Sequence, residues 1–406
     1  SPFPVSIDLL SASNSQVNLP NNIDISLNTL SSELRIFQQW QLLSPQLEGL
    51  VIQTPTEELF NNAVSNSQSQ MTTTNVLLND VFIPINAQIT DLHLFNASLS
   101  QSGKQFILDA LFFDARINAH QVNLNNVKAE HQAGTLEATA NIQLIDEYPL
   151  SLNLQLHTEL VDMPPLNVDA AVTGSLQNLQ IQIQSHAPLI SVTNAQLQPL
   201  SARLPLKLDM QWQGFTHHTL APLYFPEITV DAGEMKVFGT IDDYTISLTT
   251  AVNTAKIPTP ININLASLAN TKRFEINSLI VQLLDGMIET TGQIKLSDSV
   301  NWQLSTRLTD INTQLIEQRL PMDINGQLDY QGQLSDGKPN INMKTIDILA
   351  TQQGYPVSIN GNGAYAANAG VLVSNLNITH KQNHIQGFAR LLMDRRVDAD
   401  IIVAIE

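Results

Sequence analysis

From Leu150 to Leu156 the chain reads LSLNLQL, with leucine at every even position and Ser, Asn or Gln at every odd one. A period of two sends successive side chains to opposite faces of an extended backbone, so this run predicts a strand with one apolar and one polar face. The same period returns at Leu166, Val168, Ala170 and Val172, at Leu204, Leu206, Leu208, Met210 and Trp212, and at Val397, Ala399, Ile401, Val403 and Ile405. On a helix these side chains would be spread around the axis and leave no coherent apolar stripe. Leu42 and Leu43 break the alternation and predict a bulge or a strand end.

Turn chemistry interrupts the periodic runs at short intervals, at Pro164-Pro165, Asp336-Gly337, Asn360-Gly361, Gly134, Gly233 and Gly286, which predicts antiparallel meanders. Helix signals are sparse. Thr56, Glu57 and Glu58 ahead of Leu59, Phe60, Ala63 and Val64 predict one short helix, and residues 315–320 a single turn. The stretch NNAVSNSQSQMTTT is polar and low in complexity, so the chain divides into a first strand block over 1–60, a polar loop or linker over 61–74, and a continuous repeating β-groove over 75–406.

A unit recurs along the chain. GTLEATANIQLIDEYPLSLNLQL from Gly134 and GMIETTGQIKLSDSVNWQLSTRL from Gly286 share one plan, with Trp302 near the place of Tyr148, and GEMKVFGTIDDYTISLTTAV from Gly233 is a looser copy. Units that each present an apolar face and follow one another build a quasi-one-dimensional structure. The expected fold is all-β: an elongated, curved, mostly antiparallel repeat sheet with few short helices, its apolar face forming a hydrophobic groove. At about 12 residues per strand and turn the chain would hold roughly 30 strands.

Composition narrows the function. Lys plus Arg number 19 against 37 Asp plus Glu, a formal net charge of −18 that repels phosphate backbones, so nucleic acid is not expected as a partner. Apolar residues reach 43% and charged ones 14%, the balance of a folding chain. The absence of Cys excludes disulfides, thiolate zinc sites and cysteine nucleophiles. No run approaches the roughly 18 apolar residues of a membrane-spanning helix, and SPFPVSIDLL lacks a basic signal-peptide start; an anchor or export signal is expected upstream of Ser1.

A packed sandwich or closed barrel is the common home of such strands, but aromatics make up only 5% of the chain, little for filling a sandwich core. A curved sheet with an open aliphatic interior suits the residues better. Its wall is assigned to Leu136, Ile142, Leu144, Leu150, Leu152, Leu154, Leu156, Val168, Val172, Leu204, Leu206, Leu208, Met210, Ile246, Leu248, Ile261, Ile263, Leu304, Ile324, Leu328, Ile401 and Val403. An acyl chain costs about 0.8 kcal/mol per CH₂ to expose, roughly 12 kcal/mol for sixteen carbons. An aliphatic groove removes most of that barrier and needs no catalytic residue and no cofactor.

Catalytic signatures are missing: there is no GxSxG, HExxH, phosphate-binding loop or dinucleotide fingerprint, and no enzyme is expected. His380 and His384 have a spacing that ligates zinc on a helix, but here they flank a strand-turn segment without carboxylates. His217 and His218 would point to opposite faces, Asp242 and Asp243 read as a solvated turn, and Trp40, Trp212 and Trp302 read as anchors at strand ends or in the apolar face. No metal site is expected.

The run LPNNIDISLNTLSSELRIFQQWQLLSPQLEGLVIQTP from Leu19, the segment 109–157, and GMIETTGQIKLSDSVNWQLSTRL together resemble the TamB proteins of the AsmA-like family of Gram-negative envelopes. The resemblance implies an internal periplasmic portion of a protein anchored in the inner membrane. It also implies a β-taco groove bridging inner and outer membranes, phospholipid as cargo, and a part in outer-membrane biogenesis. A second role implied with it is insertion of outer-membrane β-barrels and autotransporters with the barrel protein TamA, which would dock outside this segment. Two further readings stand beside the lipid conduit. One is a chaperone whose exposed sheet edge pairs with nascent outer-membrane proteins. The other is a β-helix acting on polysaccharide, which is opposed by runs such as ARLPLKLDMQW that hold one phase longer than β-helix strands do.

Overall fold

A computed structural model describes residues 5–19, 23–36, 39–54, 80–101, 104–159, 164–216, 228–296, 299–317, 321–335, 337–352, 354–367, 370–392 and 396–405. The helix expected from Thr56, the linker expected at 61–74, and His217 and His218 lie outside the described residues. Among the described residues the chain forms 27 strands and no α-helix. Of the helical turn expected over 315–320, residues 318–320 lie outside the described residues; a 3₁₀ turn stands at Thr313–Leu315, opened by the Asn312 side chain, which accepts from the Gln314 N–H at 3.0 Å.

The chain divides into two units, Ser1–Leu206 and Lys207–Glu406. In the first, β1 (Val5–Leu19) pairs antiparallel with β2 (Ile23–Ile36), and β2 pairs with both β3 (Trp40–Glu48) and β4 (Val51–Thr54), which lie end to end along it. The next strands are β5 (Ala87–Gln101), β6 (Lys104–Asn118), β7 (Gln121–His131), β8 (Gly134–Gln143) and β9 (Pro149–Thr158). They are followed by β10 (Leu166–Ser175), β11 (Asn178–Ala187) and β12 (Ser191–Leu197). From β5 to β12 each strand pairs antiparallel with the next.

One junction departs from the expected meander, because β5 runs parallel to β3 and β4. Parallel neighbours need a crossover of a dozen or more residues, which a short turn cannot supply. The described end of that crossover passes strand ends: Val81 N–H donates to Leu144 O at 2.9 Å, Ile83 N–H to Ala119 O at 2.8 Å, and Trp40 N–H to Asn86 O at 2.8 Å.

The second unit begins inside β13 (Leu206–Trp212), whose first residue closes the first unit, and continues with β14 (Phe215–Thr216), β15 (Ile228–Val230), β16 (Gly233–Thr240) and β17 (Asp243–Thr254). It continues through β18 (Ile257–Ala269), β19 (Arg273–Leu283), β20 (Gly286–Leu296), β21 (Val300–Asn312) and β22 (Met322–Ser335). It ends with β23 (Lys338–Gln352), β24 (Tyr355–Ala366), β25 (Gly370–His380), β26 (Asn383–Leu391) and β27 (Val397–Ala404). From β16 to β27 every strand is antiparallel to its sequence neighbour. The three glycine-initiated copies are the hairpins β8–β9, β16–β17 and β20–β21.

Two local expectations are corrected. Leu204 does not extend β13: with φ +44° it closes a turn, its N–H donating to Ser201 O at 2.9 Å, because the following Pro205 removes the next backbone donor. Asn360-Gly361 is not a hairpin turn but an irregularity inside β24, where the register against β25 shifts between Asn360 and Asn362. Such bulges recur, and several hold Asn or Asp in the left-handed region: Asp91 at φ +58°, Asn126 at +50°, Asp310 at +52° and Asn375 at +50°. Short carboxylates and carboxamides tolerate this conformation and stitch the bulge to its neighbour. Asp114 accepts from Asp91 N–H at 2.7 Å and from Asn126 Nδ2 at 2.6 Å, and Asn325 accepts from Asp310 N–H at 3.0 Å.

Candidate functional site

The pairing register carries the alternation of single strands across whole sheets. Leu150, Leu152, Leu154 and Leu156 of β9 stand opposite Ile142, Ala140, Ala138 and Leu136 on one side and Gly174, Val172, Ala170 and Val168 on the other. The row continues to Ile181 and Ile183 of β11. In the second unit Leu248 faces Leu265, Leu265 faces Leu279, Leu328 faces Ile346, Ile359 faces Ile378, and Ile385 faces Val403. Each unit therefore has an aliphatic face. The odd positions form a polar face: Asn141 Nδ2 donates to Asn123 Oδ1 at 2.6 Å, and Gln121 Nε2 to Asn141 Oδ1 at 3.3 Å. The chain holds 37 Asn and 35 Gln, so carboxamides outnumber its Lys, Arg, Asp and Glu.

Burial decides between a packed core and an uncovered face. Along β9 the leucines are half-buried while Ser151, Asn153 and Gln155 are exposed. Among the described residues the largest side chain less than 2% exposed is that of Ser267. A sandwich of this chain length would bury Leu, Ile and Phe completely. Here the most deeply buried positions are mainly small residues on the floor of the sheet, such as Ala115, Ala350, Ser32 and Thr306, while the large aliphatic side chains beside them keep part of their surface exposed. No second protein layer covers the aliphatic face among the described residues.

Of the wall residues assigned from the sequence, Leu136, Ile142, Leu150, Leu152, Leu154, Leu156, Val168 and Val172 share the face of the first unit. Ile246, Leu248, Ile261, Ile263, Leu304, Ile324 and Leu328 share that of the second. Leu208 and Met210 are half-buried and alternate with exposed Lys207 and Gln211. Ile401 and Val403 are on the same face but 45% and 54% exposed, since β27 has a described neighbour on one side only. Leu144 and Leu204 lie outside strands. Sequence reasoning missed Ile181 and Ile183, whose alternation was legible. It also missed Leu279, Val281, Ile346 and Ile348, where bulges at 276–279 and 343–346 shift the phase.

Two tryptophans fill dents in these sheets. A Cβ on Gly332 would come within 2.2 Å of the Trp302 ring, and one on Gly233 within 2.4 Å of Trp212, so each indole lies against bare glycine backbone. Trp212 Nε1 also donates to Asp231 O at 3.2 Å, whereas Trp40 sits 49% exposed at the start of β3. Depressions such as one of about 540 Å³ bordered by Gln293, Gln303, Gln331 and Asn342 are furrows between polar-face side chains.

Two ion pairs lie on the polar face: Lys128 meets Glu130 at 2.7 Å and Lys236 meets Glu234 at 2.8 Å, each lysine held more basic than usual by its partner. Hydrogen bonds from Ser305, at 2.7 Å, and Gln327 hold the Asp329 carboxyl below its ordinary range. Asn167 and then Glu159 raise His157. His380 and His384 stand on opposite faces of the β25–β26 hairpin, and among the described residues no cluster of acids and histidines is arranged for a metal.

A sequence model of the family described as TamB, N-terminal domain, matches residues 1–404. The chain belongs to that family. The translocation and assembly module subunit TamB of Haemophilus influenzae is 22% identical over 289 residues, covering 69% of this chain. The chain spans 22% of the length of that relative. No solved structure matches. For a TamB-family chain the aliphatic face is thus the candidate site, and no described helix is long and apolar enough to cross a membrane.

Proposed function

We propose that this chain is a periplasmic stretch of a bridge for phospholipid, in which the aliphatic faces form the inner wall of a groove that carries acyl chains between inner and outer membrane. The single observation behind this reading is a pair of registered aliphatic faces on which no side chain larger than serine is fully buried among the described residues. Each acyl CH₂ moved from water onto such a wall recovers up to about 0.8 kcal/mol, and neighbouring positions are equivalent, so a chain can slide without a desolvation barrier. The wall would be the positions assigned from the sequence other than Leu144 and Leu204, together with Ile181, Ile183, Leu265 and Leu279, within the groove expected over 75–406. No chemistry is asked of the protein, and the carboxamide-rich outer face keeps the sheet wetted.

The test is native mass spectrometry of protein purified from envelopes without detergent exchange, together with a photocrosslinking residue at Leu152. Phospholipid adducts are expected; a protein that stays empty when offered lipid vesicles would remove the reading. A second reading is assistance to nascent outer-membrane β-barrel proteins, with TamA as partner of the longer protein. It draws on β27, which is paired only with β26 among the described residues and leaves Val397 70% exposed. Polypeptide adducts at Ile402, with none of lipid at Leu152, would favour it.

A further inference from the structure

The aliphatic face of the second unit is broken at one place by hydroxyl groups. Thr290 of β20 and Thr306 of β21 stand opposite each other in the register, on the face shared by Leu279 and Leu328, and both side chains are buried. Their Oγ1 atoms are 2.9 Å apart, and Thr306 Oγ1 lies 3.3 Å from the Tyr330 hydroxyl of β22. Three hydroxyls carry three protons, and the two hydrogen bonds of this ladder use two of them. Whichever way the protons are ordered, one O–H is left without an acceptor in the ladder. When the chain runs Thr290 to Thr306 to Tyr330, the free proton sits on Tyr330, the half-buried member that faces the open side. On the same face, two strands away, Ser267 is 1% exposed and its Oγ has no partner.

A hydroxyl donor left idle in an apolar setting is destabilising unless something accepts from it. Water can accept from the half-buried Tyr330 on a bare wall, but once hydrocarbon covers that wall the acceptor has to arrive with the cargo. We infer that the Thr290–Thr306–Tyr330 ladder is a polar station on the aliphatic wall that donates a hydrogen bond to an acyl-ester carbonyl of a diacyl glycerolipid. This inference rests on the lipid-carrying reading and specifies which part of the lipid the second unit senses. The ester carbonyl suits the place: it lies at the root of the hydrocarbon chain, it is a neutral acceptor with no proton to give, and it needs no charged partner. A phosphate would call for a cation, and no Lys or Arg stands opposite the ladder in the register. The ladder fixes the depth at which a lipid rests, with tails along Leu279, Leu304 and Leu328 and the headgroup toward water.

The full chain is offered mixed vesicles of two phosphatidylethanolamines with identical headgroups and chain lengths, one ester-linked and one ether-linked, and the bound ratio is read by native mass spectrometry. The ether lipid lacks the carbonyl. Wild-type protein is expected to enrich the ester lipid about fivefold, the worth of one net hydrogen bond. Tyr330→Phe removes the hydroxyl on the open side and is expected to bring the ratio to the vesicle composition by lowering ester-lipid binding. A wild-type ratio equal to the vesicle composition would overturn the station while leaving the conduit standing. A Tyr330→Phe protein that melts earlier yet keeps the ester preference would show the ladder to be a cross-strand packing device only. Binding of neither lipid would remove the conduit and the station together. Tyr330→Phe deletes one oxygen from a half-buried ring, so the test does not depend on a substitution at the buried threonines.

Discussion

The strands β7–β10 and β19–β22 obey the same period of two and build different walls. Across the middle of the first set the aliphatic face carries Leu, Ile, Val and Ala, as in the row Leu124, Ala140, Leu152 and Val172. In the second set the equivalent face admits Gly292, Gly326 and Gly332 together with Thr290, Thr306, Tyr330 and Trp302. Alternation specifies which side is dry; the identity of each dry residue then sets how smooth that side is. A smooth wall treats all hydrocarbon alike, whereas a wall with dents and hydroxyls can hold one part of a molecule in one place.

The sharpest way to break the comparison is to put charge on the smooth wall. Leu152→Arg is expected to lower retained phospholipid more than tenfold, since an acyl chain passing a guanidinium forfeits at least about 2 kcal/mol. The sheet itself should stay folded because the position is only half-buried, which circular dichroism checks alongside mass spectrometry. Normal lipid retention would mean the smooth face is not the path.

Enlarging a residue should separate the two walls next. Gly332→Val drives a Cβ into the Trp302 ring, 2.2 Å away, and is expected to destabilise by about 1–3 kcal/mol in urea titration, with part of the loss recovered in the Trp302→Ala background. Ala170→Val on the smooth wall has no layer above it and should stay within about 0.5 kcal/mol of wild type. Equal losses at both sites would mean that the smooth wall is covered after all.

A feature common to both regions is the bulge with a left-handed Asn or Asp. Asn126→Val is expected to cost about 1–2 kcal/mol because a β-branched residue resists φ +50°, and Asn126→Gly to cost less. Asp310→Val should behave in the same way, at φ +52°. Thermal melts of the four proteins decide this.

The smallest effects are electrostatic and lie on the polar face. His157 is held above its ordinary value of 6.5, so its pairing stabilises the native state fully below that pH and fades as the pH rises through the native value. Asp329 is held below its ordinary value of 3.8, so its contribution is present above that pH and is lost as the pH falls through the native value. NMR titration of the two side chains should show opposite displacements, and Ser305→Ala should move Asp329 back toward its ordinary value.

Much of this was readable in the chain. LSLNLQL specified both the strand and its dry face because side-chain direction in an extended backbone depends only on parity. The recurring glycine-led segments proved to be hairpins for the same local reason. The parallel junction of β5 with β3 and β4 was not readable, since a polar stretch after Thr54 is compatible with either direction of return. Asn360-Gly361 misled because the dipeptide that makes a tight turn also suits a bulge, and only the partner strand distinguishes them.

Parity, composition and turn chemistry therefore determined by themselves that this protein is a succession of strands with one aliphatic and one carboxamide-rich face, because those properties are set within a few residues. Only the tertiary structure decided that the aliphatic face is left uncovered within the described residues, and that Thr290, Thr306 and Tyr330 meet on it. Burial and cross-strand contact depend on which distant segments become neighbours, and a bulge of one residue changes which side chains those are.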